Sequence, residues 1–132
     1  MKFPDLLERF VSYAMIDTGS DEDSKTFPST EGQLVLAERL KTELMEMGLS
    51  DVCVNEYGYV LASLSSNQLS LPPTIALIAH LDTSPDVPGH GVNPLVHRDY
   101  NGRDLYLSRD PEIILDVESN PSLKDKTGNT II

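Results

Sequence analysis

Thr74-Ile75-Ala76-Leu77-Ile78-Ala79-His80-Leu81-Asp82-Thr83-Ser84-Pro85-Asp86 is the stretch on which the reading of the whole chain turns. After Thr74 every position to Ala79 is apolar, the pattern of a central strand covered on both faces. In an open α/β sheet, ligands bind beyond the carboxyl ends of strands, and His80 and Asp82 stand at such an end. If strand geometry continues through His80, side chains two residues apart point to one side, so His80 and Asp82 share a face. A metal-bound imidazole usually donates its other ring N–H to a carboxylate, which fixes the tautomer. His-x-Asp therefore supplies a zinc ligand and its orienting group at short range. The same residues also fit a hydrogen-bonded histidine of the surface or core. Asp82-Thr83-Ser84-Pro85 also fits a turn built by side-chain-to-backbone hydrogen bonds.

Upstream, two helices are expected before any strand. Pro4 suits a first helical turn, Asp5 and Glu8 favour its positive end, and Leu6, Leu7, Phe10 and Ala14 recur at helical spacing to about Ile16. Residues 17–28 carry Asp, Ser, Gly and Pro without periodicity and read as an exposed loop. Asp21 and Asp23 suggest a calcium loop, but Lys25 and Thr26 stand where a further oxygen ligand and the turn glycine belong, so calcium is rejected. A second helix opens at Thr30, which with Gln33 can form a capping box. Leu36, Ala37, Leu40, Leu44 and Met47 make its buried stripe, and Gly48-Leu49 can close it in a Schellman turn.

Strands follow that helix. Val52–Glu56 alternates, Tyr57-Gly58 breaks the pattern, and Tyr59–Leu64 forms a second strand before a polar connection from Asn67 to Pro73. Asn101-Gly102 between Leu95–Tyr100 and Arg103–Leu107 is a strong hairpin signal. Ile113–Val117 and Asn129–Ile132 complete the expected strands. Thr130-Ile131-Ile132 are β-formers with no polar tail behind them, so a strand cut in mid-pattern is expected there. The fold class is α/β: two helices, then a mixed sheet with a hairpin, forming an incomplete domain.

Composition narrows the function. With 21 acidic against 10 basic residues, the net charge of −11 repels phosphate backbones and anionic bilayers, so neither nucleic acid nor membrane is expected as a partner. The 39% hydrophobic content suffices for a core. No apolar run is long enough to span a bilayer and the N-terminus lacks a signal-peptide pattern, so the expected compartment is the cytoplasm. Cys53 is the single cysteine, which precludes an intrachain disulfide. Between Val52 and Val54 it reads as a small core residue. His90, flanked by glycines, and His97, on a hairpin strand, do not complete a metal cage, and Ser84 has no base at a telling spacing.

Pro28-Ser29-Thr30-Glu31-Gly32-Gln33, then His80 to Asp86, then Val92-Asn93-Pro94 resemble, in order, the N-terminal part of the tripeptide aminopeptidase branch of the di-zinc exopeptidase family. That family also contains aminoacylases and carboxypeptidases, and Thr83-Ser84-Pro85 favours the tripeptide branch. The likeness runs over nearly the whole chain. It implies that residues 1–132 are the N-terminal part of a catalytic domain, without the remainder of that domain or a lid domain. It implies that His80 is a ligand of one of two zinc ions. Asp82 then positions the imidazole and counts as a catalytic residue. The bridging carboxylate, the general-base Glu and the other ligands would follow beyond Ile132, the first of them in a Gly-Ala-Asp-Asp-type segment. The parent would hydrolyse the N-terminal peptide bond of a short peptide, and this chain by itself would be inactive. Two alternatives stand beside it: another di-zinc exopeptidase or deacylase of the family, and a catalytically dead binding module.

Overall fold

A computed structural model describes residues 6–68, 73–107 and 113–132. Pro4, Asp5 and part of the connection before Pro73 lie outside the described residues. The chain divides into two compact units, Met1–Val92 and Asn93–Ile132. The elements make an incomplete α/β arrangement. Its strands form two separate antiparallel pairs, with no mixed sheet among the described residues.

In the first unit, α1 spans Leu6–Ala14 and α2 spans Glu31–Glu46. The expected stripe holds: Leu36 and Ala37 are 7% and 0% exposed, and Leu40, Leu44 and Met47 are half-buried on the same face. The closure also holds. Gly48 takes a φ of 81° and donates to Met45 O, while Leu49 N donates to Leu44 O at 3.1 Å, both bonds of a Schellman turn. The capping box does not form. Thr30 occupies the N-cap without a side-chain bond to the helix amides; its hydroxyl and the Gln33 amide are turned to the preceding loop, where they donate to backbone carbonyls.

The two helices are joined through Glu43. Its Oε2 accepts from Arg9 Nε at 2.9 Å and from the Tyr13 hydroxyl, and its Oε1 accepts from Arg39 Nε at 3.2 Å. Burial opposes ionisation of Glu43, but the hydrogen bonds from Tyr13, Arg39 and Arg9 outweigh it and hold the carboxyl below its ordinary range.

After α2, β1 (Ser50–Val54) pairs antiparallel with β2 (Val60–Ser63), with a register irregularity between Ser50 and Cys53. The Asn55 side chain accepts from the amides of Tyr57 and Tyr59 and so closes the turn between them. Cys53 is exposed, correcting its assignment to the core: Val52 and Val54 are half-buried and the intervening side chain points to the other face.

The largest departure concerns residues 74–79. They pair with no strand, and Ile75, Leu77 and Ile78 are 83%, 96% and 94% exposed. The expected central strand is therefore absent. An apolar run shows what a segment can bury once neighbours are present, whereas a strand requires those neighbours for its ladder. The described residues supply none.

The second unit has a small core of Tyr100, Leu105 and Leu123, flanked by Leu115, Val117 and Ile131. Here β3 (Leu105–Tyr106) pairs antiparallel with β4 (Ile114–Leu115), and a 3-10 helix covers Pro121–Lys126. The expected hairpin about Asn101-Gly102 is displaced. Gly102 does turn, with φ 81°, but the preceding strand segment pairs elsewhere: His97 exchanges backbone bonds with Ile131, and Tyr100 N donates to Asn129 O. Turn chemistry fixed the bend, whereas burial of Tyr100 chose the partner. Of the expected strands at 113–117 and 129–132, the first is shortened to Ile114–Leu115 and the second to a single bridge at Ile131.

Candidate functional site

Four stretches of the first unit build the site: the loop at 17–20, the first turn of α2, the β1–β2 turn and the segment through Asp82. The loop is pressed against α2 at Gly32, where an added Cβ would lie 1.6 Å from the Asp17 carbonyl oxygen. That approach buries Thr18 and Gln33. The Gln33 amide donates to Ser29 Oγ at 3.1 Å and to the carbonyls of Thr18 and Gly19 at 3.4 Å each, and Thr30 Oγ1 donates to Gly19 O at 2.9 Å.

The loop so held makes a parallel bridge to the residue after Asp82. Thr83 N donates to Thr18 O at 3.1 Å, and Thr83 O accepts from both the amide and the hydroxyl of Ser20 at 3.0 Å.

His80 and Asp82 are brought together. His80 Nδ1 lies 2.8 Å from the Asp82 backbone oxygen and 3.1 Å from its carboxylate Oδ1. Both are acceptors, so Nδ1 carries the hydrogen, and in the neutral ring the lone pair then resides on Nε2. The imidazole is 83% exposed and Asp82 is 49% exposed, which leaves Nε2 open to a ligand. The next carboxylate, Asp86, accepts from the Ser84 hydroxyl at 2.7 Å in a local turn. A groove of about 700 Å³ includes His80 and Asp82 in its lining, together with the apolar side chains of Phe27, Tyr59, Leu77 and Ile78.

These donors fit one metal ligand with its orienting carboxylate, and they go no further toward a cage. Among the described residues, no three His, Cys, Asp or Glu side chains converge in a way that could hold an ion. His90 is exposed in a turn, and His97 pairs through its backbone with Ile131. Sequence reasoning missed the Gln33–Thr18–Thr83 connection. The available signal was a polar residue at position 33 in register with the buried Leu36 and Ala37.

Curated relatives share this chain almost end to end. It is 50% identical over 127 residues to peptidase T of Caldanaerobacter subterraneus subsp. tengcongensis, with 96% of this chain and 31% of the relative covered. Peptidase T of Halothermothrix orenii is 49% identical over 127 residues, again 96% of this chain and 31% of the relative. For the Listeria monocytogenes serotype 4b protein the figures are 45% over 128 residues, 97% and 31%. The match is to an N-terminal portion of peptidase T. The chain spans 31% of the length of these peptidase T relatives. No family model matches it. The peptidase T relatives support a peptidase family for the chain. Among the described residues, no helix is long and apolar enough to cross a membrane.

Proposed function

We propose that this chain is the N-terminal part of the catalytic domain of a zinc-dependent aminopeptidase that removes the N-terminal residue of tripeptides. His80 contributes one zinc ligand through Nε2, and Asp82 holds the imidazole in the tautomer that makes Nε2 available. The observation that carries this reading is the pair of contacts from His80 Nδ1 to Asp82, at 2.8 and 3.1 Å. Two zinc ions, when bound, would polarise the scissile carbonyl and lower the pKa of a shared water. This chain's part is to present a neutral imidazole, keep it from rotating, and border the groove beside it. The other ligands and the general base belong to polypeptide beyond the described residues, so the chain alone is inactive in this reading. Its partner is a short peptide and its compartment the cytoplasm.

Other di-zinc exopeptidases or deacylases would use the same pair and differ in groups that lie elsewhere. A second reading, from a different class, is a binding module without catalysis.

A chimera separates them: residues 1–132 replace the matched portion of the Caldanaerobacter peptidase T, and tripeptide hydrolysis is measured. The chimera should turn over, and Asp82→Asn should lower its activity or zinc affinity by about 10–100-fold with little change in thermal midpoint. No turnover by the unsubstituted chimera, or unchanged turnover in Asp82→Asn, contradicts the peptidase reading.

A further inference from the structure

We propose that Gln33, with Thr30, is a positioning residue for the His80–Asp82 pair, acting through one shared peptide group. The inference deepens the reading of His80 as a ligand and rests on it for its significance, though not for its test. Gln33 is only 7% exposed, an unusual place for an amide, and the amide goes to Thr18 O, Gly19 O and Ser29 Oγ. Thr30, placed at the N-cap where its hydroxyl could satisfy a helix amide, donates to Gly19 O instead. Both side chains thus forgo the capping box and hold the backbone at 18–19.

The held carbonyl of Thr18 accepts the N–H of Thr83 at 3.1 Å. That N–H and the Asp82 carbonyl belong to the same planar peptide unit. Among the described residues the only cis peptide bond is Phe27–Pro28, so this unit is trans and its N–H and C=O point in opposite directions. Fixing the N–H on Thr18 therefore aims the Asp82 carbonyl the other way, onto His80 Nδ1 at 2.8 Å. Ser20 holds the far side of Thr83 through two bonds to its carbonyl oxygen, so the residue cannot swivel to release the plane. The first turn of α2 in this way sets which nitrogen of His80 carries the proton.

Ring nitrogen chemical shifts of His80 in the intact chain, without added metal, report the tautomer directly. The Nδ1–H form should predominate in the wild type. In Gln33→Leu and in Thr30→Val its ratio to the Nε2–H form should fall about fivefold, as expected for losing one net hydrogen bond. Thr30→Ser, which keeps the hydroxyl, should retain the wild-type ratio. Asp82→Asn serves as the control for direct contact. If Gln33→Leu fails to fold by circular dichroism, the Thr30→Val and Thr30→Ser pair decides. An unchanged ratio in the folded variants, or a wild type without Nδ1–H predominance, overturns the proposal. Because no zinc enters the measurement, a failure of the metallopeptidase reading would appear in the chimera assay and leave this result intact.

Discussion

Two apolar stretches of the first unit meet opposite fates. On α2, Leu36 and Ala37 are covered, while at 75–78 Ile75, Leu77 and Ile78 stand almost fully in solvent. The second stretch is the more hydrophobic, so composition did not decide the outcome. What differs is where the partner comes from. The α2 stripe finds β1 and β2 within the next thirty or so residues of chain, joined by a tight helix closure and a side-chain-locked turn. A strand apolar on both faces needs neighbouring strands and two covering layers, and those are non-local. Covered apolar surface is worth about 25 cal/mol per Å², so an uncovered run contributes nothing to this unit's stability.

The strongest way to break that comparison is Gly32→Ala. In an ordinary helix this change helps by about 1 kcal/mol. Here the new Cβ would sit 1.6 Å from a backbone oxygen that cannot move aside without unseating the loop at 17–20. We expect a loss of about 3 kcal/mol or more in urea denaturation. A neutral result would mean that the loop does not rest on α2.

Next comes the matched pair Leu36→Ala and Leu77→Ala. The first should cost about 2–3 kcal/mol, since it empties a covered site. The second should stay within about 0.5 kcal/mol, as an exposed position does. Equal costs would show that 74–79 is covered in solution.

A smaller effect is expected from Glu43→Gln, at about 1 kcal/mol near neutral pH. The Glu43 carboxyl is held below its ordinary value of 4.5, so its ionised form is favoured in the folded state. That contribution is complete above the ordinary value and is lost as pH falls through the lower, folded one. Wild type and variant should therefore converge in stability in acid, and a constant gap across the acid range would point to shape in place of charge.

The same division explains what was legible in the sequence. The limits of α2 were, since the cap position at Thr30 and the Gly48-Leu49 closure are written within one turn of each end. So was the His80–Asp82 contact, because a separation of two residues leaves little freedom. The content of the first turn was not: Thr30 and Gln33 carry the letters of a capping box, but both side chains turn to donate to Gly19 O and Thr18 O of the preceding loop instead of accepting from the first amides of the helix. The hairpin failed for a related reason. Asn101-Gly102 specifies a bend, whereas the pairing of Tyr100 with residues 128–129 depends on which side chains become buried together. Local chemistry was readable, and choice among distant partners was not.

The central claim is that His80 offers Nε2 to zinc while Asp82 holds Nδ1, and that the described residues complete no cage around it. Calorimetric zinc titration of the 132-residue chain, beside His80→Ala and with the His80 ring nitrogens followed by NMR, tests it most directly. The account predicts weak binding that perturbs Nε2 and vanishes in His80→Ala, without tripeptide turnover. Submicromolar zinc binding with turnover, or zinc binding that His80→Ala leaves unchanged, would contradict it.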